Sequence, residues 1–86
     1  MMLIALDYDK TYTLDPIFWD CVVASAISAG HRVVCVTMRH PFESITMPCP
    51  VIYTRRKAKH PHMRDLGINV DVWIDDSPHW IMQDSG

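Results

Sequence analysis

Four short apolar runs alternate along the chain with segments that carry helix start and stop signals. The runs are rich in β-branched residues and lie at 3–6, 32–37, 51–54 and 70–74. Such continuous apolar runs are typical of parallel strands that helices cover on both faces. Strands that alternate with helices at this spacing form βαβ units with right-handed crossovers. The pattern therefore predicts an α/β fold, a small three-layer, Rossmann-like parallel sheet of about four strands.

The helix signals lie between these runs. Asp15 is suited to cap a helix, Pro16 to occupy its first position, and Gly30 to end it. Its apolar residues are expected to lie on one side and to pack on the sheet; they are Phe18, Trp19, Val22, Val23, Ala26 and Ile27. Further helices are predicted around 42–45, from near 60 to 67, and as a last turn from 78 to 82.

Length and composition narrow the function classes. The 86 residues are 49% hydrophobic and 21% charged, which predicts one soluble globular domain over 1–86. A net charge of -2 gives no global attraction to nucleic acid or to a membrane surface. The three cysteines show no metal-binding spacing, and neither a signal peptide nor a membrane helix is evident. We therefore expect free thiols, a cytoplasmic location and no membrane partner.

Polar residues follow each predicted strand. Asp7 and Asp9 follow the first, Thr37 ends the second, a basic stretch at 55–57 follows the third, and Asp75-Asp76 follows the fourth. The carboxyl ends of parallel strands share one edge of the sheet, where ligands bind. Clustered carboxylates repel one another unless a cation joins them, and oxygen ligands suit Mg²⁺. A hydroxyl and an ammonium beside a metal favour a phosphate, which indicates phosphoryl transfer.

In these residues the sequence resembles the haloacid dehalogenase (HAD) superfamily of phosphohydrolases. Its four motifs occur in order across 3–76, nearly the whole chain. They are the apolar strand followed by Asp7-Tyr8-Asp9-Lys10-Thr11, the strand ending at Thr37 with Arg39 two residues on, the lysine of Tyr53-Thr54-Arg55-Arg56-Lys57, and the strand ending in Asp75-Asp76. The resemblance implies a HAD-like sheet of strand order 4-1-2-3.

The resemblance also implies residue roles. The catalytic set is Asp7, Asp9, Thr37 and Lys57, and the Mg²⁺ set is Asp7, Asp9, Asp75 and Asp76. Asp7 is expected to form an aspartyl-phosphate, and Asp9 to act as general acid and then base while offering its backbone carbonyl to the metal. Lys57 is preferred because Thr-Arg-x-Lys resembles 5′-deoxyribonucleotidase-type members, but Lys59 is a competing choice. Either Asp75 or Asp76 makes the direct metal bond.

The expected substrate contacts extend beyond this set. They are Tyr8, Thr11, Arg39, Arg55, Arg56 and Lys59. No segment is long enough for the cap domain that HAD members usually carry, so an open, capless site is expected. The basic segment 55–64 and the likeness to nucleotidases favour nucleotides or nucleic acid ends as substrates. Dimerisation that covers exposed apolar surface is also plausible.

Other interpretations stay open at this point. The same site without turnover would make the chain a regulatory module that binds phosphate and Mg²⁺. Capping of the last helix is an alternative role for Asp76 to metal binding. A receiver-like phospho-acceptor domain ranks last among the interpretations. Such domains place the acceptor aspartate at the third strand, and no aspartate follows the third predicted strand of this chain. An EF-hand over 7–18 is excluded because Tyr12 and Phe18 stand where glycine and glutamate are needed.

Overall fold

The computed structural model describes all 86 residues and contains a parallel sheet. The strands are β1 (Leu3–Leu6), β2 (Arg32–Thr37), β3 (Val51–Tyr53) and β4 (Val72–Ile74). A 3₁₀ turn (Tyr12–Leu14) precedes α1 (Pro16–Ser28), which is followed by α2 (Lys59–Asp65) and α3 (His79–Met82). None of these helices has the length and apolar character needed to cross a membrane.

All strand pairs in the sheet are parallel, and the order across it is β3-β2-β1-β4. Counted from the opposite edge, the same neighbours read 4-1-2-3, which is the order expected from the sequence. Leu6 at the end of β1 lies beside Cys35 on one side and Ile74 on the other. This register brings the residues that follow β1 and β4 side by side.

Helix α1 covers one face of the sheet. Its start agrees with the predicted signals, because Asp15 accepts a hydrogen bond from the Phe18 N–H at 3.1 Å and Pro16 occupies the first position. Val23 packs with Leu6 and Val33 in the core. The predicted apolar face was partly wrong, since Phe18 and Ile27 are each 53% exposed. The apolar surface of α1 is wider than its contact with β1 and β2, so part of it faces solvent.

Helix α2 covers the other face. Met63 is fully buried there and packs with Ala5, Val34 and Val36. The helix begins at Lys59 and ends before Gly67, whose φ of 75° lies in the left-handed region that favours glycine. These bounds agree with the predicted range to within two residues.

Two predicted elements differ in the structure. Residues 42–45 form no helix; a turn closes there instead, with the Glu43 N–H donating to the His40 carbonyl at 2.8 Å and the Glu43 side chain accepting from the His40 N–H. Strand β4 begins at Val72 rather than Val70. The Asp71 carboxylate accepts from the Leu3 N–H at 2.8 Å, so the ladder with β1 starts only after this contact.

Candidate active site

The site forms at the carboxyl edge of the sheet. Asp7 directly follows β1, and its N–H donates to the Ile74 carbonyl at 2.9 Å, which extends the ladder to β4 by one residue. Asp75 follows Ile74, so the two carboxylates lie next to each other. Thr37 is the last residue of β2 on the other side of β1 and is 1% exposed. The parallel order thus gathers residues that are up to 68 positions apart in the chain.

A buried lysine joins the two aspartates. Lys59 Nζ lies 2.8 Å from Asp7 Oδ1 and 2.5 Å from Asp75 Oδ2, and only 4% of its side chain is exposed. Burial opposes the charged form of Lys59, but the two carboxylates outweigh this effect and raise its pKa. Burial raises the pKa of Asp7 to about 6, with Lys59 acting in the opposite direction. The charged form of Lys59 is therefore favoured beside the Asp7 carboxyl.

Lys57 is not the lysine of the site, contrary to the preferred prediction. Its side chain is 70% exposed and lies 3.7 Å from Asp84. The reason is the tight turn after β3, in which Arg55 and Arg56 adopt φ values of 56° and 67° and the Lys57 N–H donates to the Thr54 carbonyl. Lys57 is thereby directed to the surface, and the first residue of α2, Lys59, enters the site.

Thr11 links the first and fourth motifs. Its hydroxyl donates to Asp7 Oδ2 at 3.1 Å and accepts from the Asp76 N–H at 3.2 Å. Asp75 Oδ1 accepts from the Ser77 N–H at 2.9 Å, which shapes the turn after β4. Asp76 does not cap α3, because no side chain caps that helix and its N-cap residue is Pro78. The Asp76 carboxylate accepts only long contacts from two hydroxyls, from Thr11 at 3.4 Å and from Ser77 at 3.3 Å.

The carboxylates fit a divalent cation. Asp7, Asp75 and Asp76 each offer an oxygen, and these atoms all lie within 4.8 Å of one another. Three ionised carboxylates beside one ammonium leave two uncompensated negative charges, which a divalent ion would balance. A donor set made only of oxygen suits Mg²⁺ or Ca²⁺ rather than zinc. The side chain of Asp9 is not part of this cluster.

Asp9 faces Arg39 instead. Arg39 Nε donates to Asp9 Oδ2 at 2.9 Å and Nη2 donates to Oδ1 at 2.8 Å, so both carboxylate oxygens are engaged. These hydrogen bonds hold the pKa of Asp9 below its ordinary value. The guanidinium carbon also lies 5.2 Å from the centre of the Tyr8 ring. Tyr8 therefore supports Arg39 from outside the cleft.

Most of the predicted residues line one cleft of about 240 Å³. They are Asp7, Asp9, Thr37, Arg39, Arg56, Lys59, Asp75 and Asp76. Tyr8, Thr11, Arg55 and Lys57 do not line it. Arg56 is held by Glu43, whose two carboxylate oxygens each lie 3.1 Å from Arg56 Nη2.

Four further lining residues were not assigned to the site from the sequence: Lys10, Met38, Ser77 and Ser85. Trp80 also lines the cleft; from the sequence it could either pack in the core or at the sheet edge, or lie near the site and stack on a base. Lys10 follows Asp9 and Met38 follows Thr37 in the sequence. This position next to a predicted site residue was the only sequence signal that could have placed them in the cleft. Ser85 had none. Its N–H donates to the Arg56 carbonyl at 2.7 Å, a contact across 29 residues that no local pattern indicates.

The C-terminal segment forms one wall of the cleft. Trp80 and Ser85 line it, and Asp84 accepts a hydrogen bond from the Ala58 N–H at 2.7 Å. Ala58 is the N-cap residue of α2, so this contact lies directly beside Lys59. No separate cap stands over the site within these 86 residues, and the last residues partly border the space above Asp7.

The chain was compared with protein-family models, with curated proteins and with solved structures. No match was found in any of these comparisons. The functional interpretation therefore depends on the residues and geometry of the site.

Proposed function

We propose that the protein is a Mg²⁺-dependent phosphomonoester hydrolase that acts through an aspartyl-phosphate on Asp7. The observation that carries the proposal is the buried Lys59, which contacts both Asp7 and Asp75 at the edge of the sheet where Thr37 also ends β2. Thr11 holds the other oxygen of Asp7. A carboxylate oriented in this way, with cations beside it, suits nucleophilic attack on phosphorus. The four HAD-like motifs support the same reaction.

The phosphoryl group would be bound by this chain's own donors. The Thr37 hydroxyl accepts from the Arg39 N–H at 3.3 Å, which leaves its hydrogen free to donate to a phosphoryl oxygen. The Lys59 ammonium, which contacts Asp7, would attract the phosphoryl oxygens with its positive charge. Mg²⁺ bound by Asp7, Asp75 and Asp76 would neutralise the phosphate charge that these carboxylates otherwise repel.

Two displacements complete the reaction. Before the first, Asp9 must leave Arg39 and take up a proton from solvent. An Asp7 oxygen then attacks phosphorus, the bond from phosphorus to the ester oxygen breaks, and that oxygen takes the proton from Asp9. In the second, Asp9 takes a proton from a water molecule whose oxygen attacks the phosphorus of the aspartyl-phosphate. The bond between phosphorus and Asp7 then breaks, phosphate leaves, and both side chains regain their starting state.

Nucleotides or nucleic acid ends are the substrate class we propose within this activity. The support is the basic segment 55–64, which lies next to the cleft and contributes Arg56 and Lys59 to its lining. Trp80 also lines the cleft and offers an aromatic ring for stacking on a base. An open cleft without a cap admits the end of a long chain.

The test compares phosphate release from an aryl phosphate and from 5′- and 3′-nucleotides by wild type and Asp7→Asn, with and without a chelator. We expect turnover to fall by roughly a thousandfold or more in Asp7→Asn, as for the loss of a nucleophile, and to disappear in chelator. Asp65→Asn, a matched change at an exposed residue of α2, should retain wild-type turnover. Full activity in a folded Asp7→Asn variant would contradict the proposal.

One observation favours a second candidate, a module that binds phosphate and Mg²⁺ without turnover. Both oxygens of Asp9 are engaged by Arg39, so the general acid is not free in this structure. Calorimetry of Mg²⁺ binding, combined with the same substrate panel, separates the two candidates. Metal binding with no phosphate release from any substrate would favour the module.

A further inference from the structure

The contact between Arg39 and Asp9 is the feature of the cleft that the hydrolase reaction does not explain. The reaction needs an Asp9 oxygen at the leaving group, and both of its oxygens are hydrogen-bonded to one guanidinium at 2.8 and 2.9 Å. Asp9 must therefore separate from Arg39 before it can transfer a proton. The inference below rests on the proposed hydrolase function and concerns what brings about that separation.

The ion pair can be exchanged for another one. The side chains of Arg39 and Asp9 are 30% and 51% exposed, so water and an incoming anion can reach both groups, and neither charge is left buried and unpaired when the pair separates. The guanidinium fork that matches a carboxylate also matches the oxygens of a phosphate or phosphodiester. An anion that enters the cleft thus competes with Asp9 for Arg39.

The other cations of the cleft are less suited to this exchange. Lys59 is buried between Asp7 and Asp75, and Arg56 is held by both oxygens of Glu43. Lys10 is exposed and forms no ion pair, so it would attract the same anion, but it does not engage Asp9. Arg39 alone connects the arrival of an anion to the release of Asp9.

We propose that the preferred substrate is a phosphomonoester whose leaving group carries a second anionic group, and that Arg39 is the residue that selects it. The second anion takes the place of Asp9 on the Arg39 fork, and the released Asp9 carboxylate takes up a proton from solvent, which it then transfers to the leaving oxygen. Asp7 and Arg39 line the same cleft, so one substrate reaches both. A substrate with a neutral leaving group leaves Asp9 paired and reacts more slowly.

The experiment uses two substrate pairs that differ by one anion. Glycerol 2-phosphate is compared with 2-phosphoglycerate, which adds a carboxylate. Adenosine 3′-monophosphate is compared with the same nucleotide carrying a methyl phosphodiester on its 5′ oxygen. The diester adds one negative charge, and a phosphomonoesterase does not hydrolyse it. We expect wild type to prefer the second member of at least one pair by about tenfold in kcat/KM, and the two pairs show whether the source is a carboxylate or a phosphodiester.

Arg39→Gln is expected to act in opposite directions on the two members of a pair. Asp9 is no longer paired, so kcat for the substrate with the neutral leaving group should rise, while kcat/KM for the substrate with the second anion should fall. Arg32→Gln removes the same charge from an exposed position at the start of β2, outside the cleft and outside the basic segment, and should keep the wild-type preference. If Arg39→Gln does not fold, Arg39→Lys keeps the charge without the fork and should lose most of the preference.

The outcomes separate this inference from the function on which it rests. Aryl phosphate turnover that depends on Asp7, with no preference for the second anion or with the preference intact in Arg39→Gln, overturns the inference and leaves the hydrolase in place. A lower melting temperature of Arg39→Gln with unchanged selectivity would mean that Arg39 only ties two loops together. No turnover by wild type on any substrate overturns both proposals.

Discussion

At the scale of single residues, the site depends on a compact set of buried charges. Asp7 and Lys59 are both buried, and each would be costly to bury alone. Their contact, together with Asp75, compensates part of that cost. Breaking a buried ion pair by removing one partner leaves an unpaired charge, which is more harmful than never having had the pair.

Replacing Lys59 should therefore affect both activity and stability. We expect Lys59→Met to abolish phosphate release and to lower the free energy of unfolding by about 3 kcal/mol at neutral pH, because Asp7 and Asp75 lose their shared cation. Lys57→Met removes the same charge from an exposed position and should change neither quantity measurably. Urea unfolding and the phosphate assay measure both. The reverse ranking of the two variants would restore Lys57 as the lysine of the site.

At the scale of elements, the helices are determined to different degrees by their own sequences. Helix α1 has local signals at both ends, with Asp15 and Pro16 at its start and Gly30 at φ 88° after its end. Helix α2 has only seven residues and no side-chain cap, and isolated helices of that length are not stable in water. It depends on Met63 in the core and on the contact of Asp84 with the Ala58 N–H.

The cap of α1 can be tested directly. Asp15→Ala removes the acceptor for the Phe18 N–H and should lower the free energy of unfolding by about 1 kcal/mol. Asp15→Ser keeps a capping oxygen and should restore most of the loss. Urea denaturation followed by circular dichroism measures the difference. Equal stability of the three proteins would show that the cap does not stabilise α1.

At the scale of the whole molecule, the site is where the elements meet. The first motif, the end of β2, the start of α2 and the segment after β4 all contribute to one cleft. The carboxylates of Asp7, Asp75 and Asp76 repel one another across this junction, and Lys59 balances only part of their charge. A metal that binds there would join segments from both ends of the chain and stabilise the fold as a unit.

Mg²⁺ should thus raise the thermal stability of the protein. Binding to the folded state alone adds about 2.7 kcal/mol when the free ion is at one hundred times its Kd. Asp76→Asn removes one negative charge from the three carboxylates and leaves the Lys59 contacts in place, so it should reduce this gain, whereas Asp65→Asn should not. Thermal unfolding over a Mg²⁺ titration gives the comparison. A melting temperature of wild type that does not depend on Mg²⁺ would exclude the metal site.

Local patterns along the chain were enough to predict the strands and the residues at their ends. The apolar runs, the Asp15-Pro16 start and Gly30 are local signals, and parallel strands must present their following residues at one edge. Asp7, Thr37 and Asp75 could therefore be assigned to one site before any coordinates were known, and the structure gathers them there.

Which of the remaining side chains reach that site depends on how the elements pack. The choice of Lys59 over Lys57 depends on a left-handed turn at Arg55 and Arg56 and on the start of α2 at Lys59, beside the end of the sheet. The pairing of Arg39 with Asp9 spans 30 residues, and the wall formed by Ser85 depends on a contact with Arg56. Such contacts have no local signature in the sequence, because they depend on how separate elements pack together and not on the pattern within any one of them.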